Sequence, residues 1–93
     1  MLNNIKAIKL LGGDIIMGQV KENLLGHVTI TEPQQCVINV DDGKMEVLLA
    51  DWIPFAMKYE FKLHRKDIVT MFDVKPQLLT NYKIGTGNNK RWH

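Results

Sequence analysis

The stretch that decides the fold is Leu10-Leu11-Gly12-Gly13-Asp14-Ile15-Ile16-Met17-Gly18-Gln19-Val20. Its double glycine makes a tight turn, because glycine reaches positive φ without steric cost. Ile5 to Leu11 before the turn is apolar-rich, and Ile15 to Glu22 after it alternates. Ile16, Gly18 and Val20 share one face of that second segment, and Ile15, Met17 and Gln19 share the other. Two such segments around a glycine turn predict a β-hairpin.

Outward from this hairpin the strand signals continue. Asn23 to His27 reads as a loop bent at Gly26, and Val28 to Thr31 as a strand of β-branched residues. Pro33 removes a ladder donor, so the strand must bend, bulge or lie at an edge there. Gln35 to Val40 resumes the extended pattern, Asp41-Asp42-Gly43 predicts a second hairpin turn, and Met45 to Leu49 returns as strand. Asp51-Trp52-Ile53-Pro54-Phe55 interrupts the alternation, with Trp52 and Phe55 expected to anchor the loop over one end of the core. Tyr59, Phe61 and Leu63 then alternate with Lys58, Glu60 and Lys62 as a half-buried strand. His64 to Asp67 reads as a polar turn and Ile68 to Phe72 as the next strand. Pro76 suits the first turn of a helix over Gln77 to Lys83, with Asp73 a candidate cap. Leu78, Leu79 and Tyr82 are expected to pack back on the sheet.

Five or six short antiparallel strands in so short a chain predict a mostly β protein. The expected fold is a small, strongly bent five-stranded antiparallel sheet or open barrel with a short C-terminal helix. SH3-like and OB-like barrels are both candidates. The expected layout is a single domain over residues 1–84 and a flexible tail over 85–93.

The chain has 93 residues, 45% of them hydrophobic and 24% charged, as in ordinary globular proteins. Cys36 is the only cysteine, which excludes a disulfide-stapled module. No apolar run approaches the roughly 20 residues of a membrane span. The N-terminus lacks the apolar core and cleavage site of a signal peptide, so a cytoplasmic protein with no membrane partner is expected. A core this small invites oligomerisation.

No catalytic constellation is present, and an enzyme is not expected. His27, His64 and His93 lack the cysteine or histidine partners of a zinc site. Gly12-Gly13 lacks the GK[ST] of a phosphate loop. Cys36 reads as an inert thiol within a strand. No cofactor is implied. The net charge of +2 hides an asymmetry: residues 1–46 hold four lysines against six acids, and residues 47–93 hold eight basic residues against four acids. Lys58, Lys62, Arg65 and Lys66 concentrate the excess, which suits either a solvated face or a nucleic-acid partner.

Residues 10–20 resemble the first motif of the Sm-like (LSm) proteins, in which a glycine turn is followed about five residues later by a glycine that lets the second strand bend. Gly13 and Gly18 have that spacing. Leu63-His64-Arg65-Lys66-Asp67-Ile68-Val69 is similar to the second motif, in a divergent form whose alignment can slip by one residue. The resemblance spans about residues 5–72. The chain departs from the family in three ways: it has no N-terminal helix, it has a helix after the last strand, and Asn23-Leu24-Leu25-Gly26-His27 replaces the Asp-x-x-Met-Asn signature. The 52–55 segment looks inserted into the fourth strand, a layout similar to short Sm-like proteins of tailed phages.

The resemblance implies a homo-oligomeric ring in which the fourth strand of one subunit pairs with the fifth of the next. The edges would be Glu46 to Leu49 or Tyr59 to Leu63, and Ile68 to Phe72. It further implies non-catalytic binding of single-stranded, U- or A-rich RNA, as a chaperone or regulator. Asn23 would read a base edge, His27 or His64 would stack on a base, and Arg65 and Lys66 would stack or neutralise phosphate. The alternative is a small-barrel assembly or adaptor protein that keeps the ring without RNA. Each of these residues also has a plainer reading: Asn23 as a turn former, His27 as a bystander, and His64, Arg65 and Lys66 as the solvated end of a hairpin.

Overall fold

A computed structural model describes residues 4–88. Six strands form one antiparallel sheet: β1 Ile5–Leu10, β2 Ile15–Glu22, β3 His27–Asp41, β4 Lys44–Asp51, β5 Glu60–His64 and β6 Ile68–Phe72. One turn of 3-10 helix, Arg65–Asp67, joins β5 to β6, and α1 spans Pro76–Asn88. The order is β4-β3-β2-β1-β6, with β5 also paired to β3.

The expected fold class is observed, and its curvature follows from chain length. β5 and β6 lie at opposite ends of the path β5-β3-β2-β1-β6. In a flat sheet those ends would sit about 19 Å apart, four strand spacings. His64 and Ile68 are joined by a link that spans at most about 14 Å even when extended. The sheet therefore rolls. The link is pinned on both sides: the Arg65 N–H donates to the Gly26 carbonyl at 3.2 Å, and the Leu11 N–H donates to the Asp67 carbonyl at 2.9 Å.

Gly18 makes the roll sterically possible. A Cβ there would sit 2.8 Å from both Ile30 Cγ1 and the Thr31 carbonyl oxygen. The β2–β3 register shifts between Met17 and Gln19 at this same point. The hairpin turn at Asp42-Gly43 has both residues at positive φ, 52° and 75°, as a tight two-residue turn between twisted strands requires.

β4 and β5 are one strand interrupted. β4 pairs with β3 from Asp41↔Lys44 to Gln34↔Asp51, and β5 pairs with β3 from Thr31↔Glu60 to His27↔His64. Residues 52–59 thus loop out against only Glu32 and Pro33. Pro33 has no N–H to offer the ladder, so the partner strand departs where it sits. The detour is closed by the Glu32 N–H donating to Tyr59 O and the Trp52 N–H donating to Pro33 O. The two segments expected on either side of Pro33 form a single fifteen-residue strand, because Glu32 absorbs the irregularity at φ 54°.

The two faces of β1 and β2 bury separate cores. Ile8, Ile16, Val20, Val28 and Ile30 fill the concave side, with Trp52, Phe61, Leu63, Ile68 and Met71 packed on them. Ile5, Ala7, Met17 and Tyr82 form the other, covered by Leu78 and Leu79 of α1. The Tyr82 hydroxyl donates to the Glu32 carbonyl at 2.8 Å and ties the helix to the strained residue of β3.

Three local expectations are corrected. Trp52 does plug the concave core, its ring edge-on to Phe61 at 5.4 Å, but Phe55 is 88% exposed. Pro54 and the short detour carry Phe55 beyond reach of the core. Asp73 does not cap the helix; its carboxylate accepts from Lys6 Nζ at 2.7 Å, and α1 starts three residues later with Leu78 and Leu79 donating to Lys75 O. The helix also continues past Lys83 to Asn88, so residues 85–88, read as tail, carry helical backbone. The rest of that tail, 89–93, lies outside the described residues.

Two substitutions test this account. Gly18→Ala forces a methyl group onto the Thr31 carbonyl and is expected to cost about 1–3 kcal/mol, read by denaturant unfolding. Tyr82→Phe removes the donor to Glu32 O and is expected to cost about 1–3 kcal/mol, with the far-ultraviolet spectrum of the folded protein unchanged.

Candidate nucleic-acid interface at the β2–β3 and β5–β6 turns

The loop after β2 and the turn after β5 meet at one end of the barrel. β3 starts at His27 and β5 ends at His64, and the register places them directly opposite. Directly opposed residues on antiparallel strands share a face, so the two imidazoles meet. Their centroids are 4.8 Å apart with the planes tilted by 59°. All five residues expected to carry the site, Asn23, His27, His64, Arg65 and Lys66, therefore cluster here, joined by the Arg65–Gly26 backbone bond.

The contacts assign each side chain differently. Asn23 Oδ1 accepts from the Leu25 N–H at 3.0 Å and the His27 N–H at 3.2 Å. The Asn23 N–H donates to the His27 carbonyl at 3.1 Å. Asn23 is thus the organiser of the loop, which is the behaviour of an Asx turn. Gly26, at φ 80°, completes the bend. His27 is half-buried against its partner, while His64 is exposed. The Arg65 guanidinium donates to Glu22 Oε1 in an ion pair with both side chains about half exposed. A pair so placed adds about 0–1 kcal/mol of stability, and it ties the guanidinium to the last residue of β2. Lys66 is exposed on the 3-10 turn.

Glu22 was not anticipated as part of this cluster. Its only sequence signal is its place as the last residue of β2, next to the loop. Leu24 and Leu25 were also not anticipated as surface features, yet both are highly exposed at the tip of the same loop.

Elsewhere the chemistry is sparse. Among the described residues, no group of three or more His, Cys, Asp or Glu side chains could hold a metal ion. Among the same residues, no helix is long and apolar enough to cross a membrane. Cys36 is half-buried, and desolvation pushes its thiol above the usual value, so its thiolate is scarce near neutral pH. No family model matches the chain, and no curated protein matches it significantly.

The Asn23 contacts generate a prediction. Asn23→Ala strands two backbone N–H groups and is expected to cost about 1 kcal/mol. Asn23→Asp keeps the acceptor oxygen and is expected to restore most of that loss, as measured by thermal unfolding of the two variants beside the parent.

Proposed function

We propose that this protein is an Sm-like subunit that assembles into a homo-oligomeric ring and binds single-stranded RNA in the cytoplasm without catalysis. The observation that carries this reading is the convergence of the Asn23–His27 loop and the His64–Lys66 turn, with two imidazoles in contact and two cations beside them. Imidazole faces and a guanidinium plane are what unstacked bases require, since every base presents a π-face. Lys66 and Arg65 supply the phosphate-neutralising charge. Among the described residues, the outer edges of β5 and β6 are each bonded to one neighbour within the sheet, which supports the ring. Such edges invite pairing with another chain.

The roles differ from residue to residue. Asn23 shapes the loop, and its amide nitrogen is the group left to meet a base edge. His27 and His64 form the stacking platform. Arg65, oriented by Glu22, directly follows His64 and supplies a cation beside that platform. RNA of a U- or A-rich kind is the ligand the resemblance favours.

A second reading has its own observation. Arg65 is already paired with Glu22, and Leu24 and Leu25 put apolar surface at the loop tip. Both features suit a protein partner, and the chain would then be an assembly or adaptor ring.

Anisotropy titrations with labelled oligo-U and oligo-A at two salt concentrations separate the readings. The RNA reading expects micromolar or tighter binding that weakens with salt and prefers one homopolymer. Arg65→Ala with Lys66→Ala is expected to lower affinity at least tenfold with the oligomer intact. It should also flatten the salt dependence by roughly 0.7 in log–log slope per lost phosphate contact. Absence of binding at low salt would reject RNA and leave the adaptor reading.

A further inference from the structure

Two features of the surface have no role in the site above. The first is the 52–59 detour. Phe55 is 88% exposed and Met57 is 98% exposed, both on a loop held out from the sheet. The second is an open groove of about 680 Å3 between β4 and the segment that links β6 to α1. Met45 and Val47 form one wall, and Phe72, Val74 and Leu78 form the other. The wall on β4 belongs to a wholly apolar face of the β3–β4 hairpin, since Ile38 opposes Val47 and Val40 opposes Met45. Ile38, Val40 and Met45 are all exposed.

We propose that the groove is filled by Phe55 and Met57 of a second copy of this chain. The inference rests on the ring reading and gives it a specific contact. If β5 of one subunit pairs antiparallel with β6 of the next, the five residues of each strand overlap, with Glu60 near Phe72 of the neighbour. The residues that precede Glu60 then lie beside those that follow Phe72 in the neighbour. The first set is the 52–59 detour, and the second lines the groove. Knob and hole are brought together by strand direction alone.

Area and charge agree with this occupant. Phe and Met side chains exposed to this extent offer on the order of 300 Å2 of apolar surface. Stable interfaces bury roughly 800 Å2 per partner, so the groove walls and the two strand edges would supply the rest. Lys58 directly follows Met57, and Glu46 on the groove rim is the carboxylate it would meet, Asp73 being already paired with Lys6. A contact between different patches of two copies is heterologous, the kind that closes into rings.

The test combines a loosening variant with a proximity measurement. Phe55→Ser with Met57→Ser alters only exposed side chains, so the subunit is expected to stay folded by circular dichroism. Sedimentation of the full chain should show the concentration for half-dissociation raised at least tenfold. In a Cys36→Ser background, one batch carries Phe55→Cys and another Met45→Cys. Mixed, allowed to exchange subunits and treated with a short bismaleimide, they should yield the crosslinked pair of the two batches. A multi-subunit mass that the double serine variant leaves unchanged, with no crosslink, would overturn the groove contact while the ring stands. A chain that sediments as a monomer at every concentration would overturn the ring and this contact with it.

Discussion

The three-residue link between β5 and β6 is the constraint on which the rest of the molecule depends. It is too short to cross a flat sheet, so the sheet must curl until its ends come within the reach of that link. Curling needs a place where two backbones come closer than side chains allow, and Gly18 against Thr31 provides it. The same link carries Arg65 and Lys66 to the β2–β3 loop, through the Arg65–Gly26 bond. The β3–β5 ladder assembles the candidate site, and the corner that carries Arg65 and Lys66 is also the one that forces the roll. His27 and His64 are neighbours through the β3–β5 ladder itself, and the roll adds the β1 side of the link, through the Leu11–Asp67 bond.

The second organising point is Glu32. Pro33 cannot donate to a neighbour, the partner strand leaves, and Glu32 takes a positive φ that non-glycine residues seldom adopt. Two bonds hold it: its N–H donates to Tyr59 and its carbonyl accepts from Tyr82. The detour thus sits where the C-terminal helix is anchored. An exposed apolar loop of this kind is costly in a monomer and useful at an interface.

Much of the architecture was legible in the chain. β1, β2, the two hairpin turns, the 3-10 corner and the start of α1 sit where glycine, proline and alternation place them. The interruption in the fourth strand was legible as well, because Trp52 to Phe55 breaks a period of two. Clustering of Asn23 and His27 with His64 to Lys66 was expected from the resemblance to Sm-like proteins, and the register of β3 against β5 brings it about. Less legible were the assignments of individual polar groups. An asparagine before Leu-Leu-Gly-His can read a base or bond its own loop, and only the distances to the Leu25 and His27 amides show that its oxygen is given to the loop. Asp73 offered itself as a cap, yet Lys6, 67 positions away, holds it instead.

The sequence by itself determined what depends on neighbours along the chain: where strands turn, where the ladder loses a donor, and which residues share a face. Steric limits on φ and the two-residue period act locally and leave their mark in composition. Only the tertiary structure decided that Phe55 projects while Trp52 plugs the core as expected, that Glu22 restrains Arg65, and that Tyr82 locks the bulge. Those outcomes depend on distances between residues remote in the chain. Such distances follow from how far the sheet rolls, which no single segment encodes.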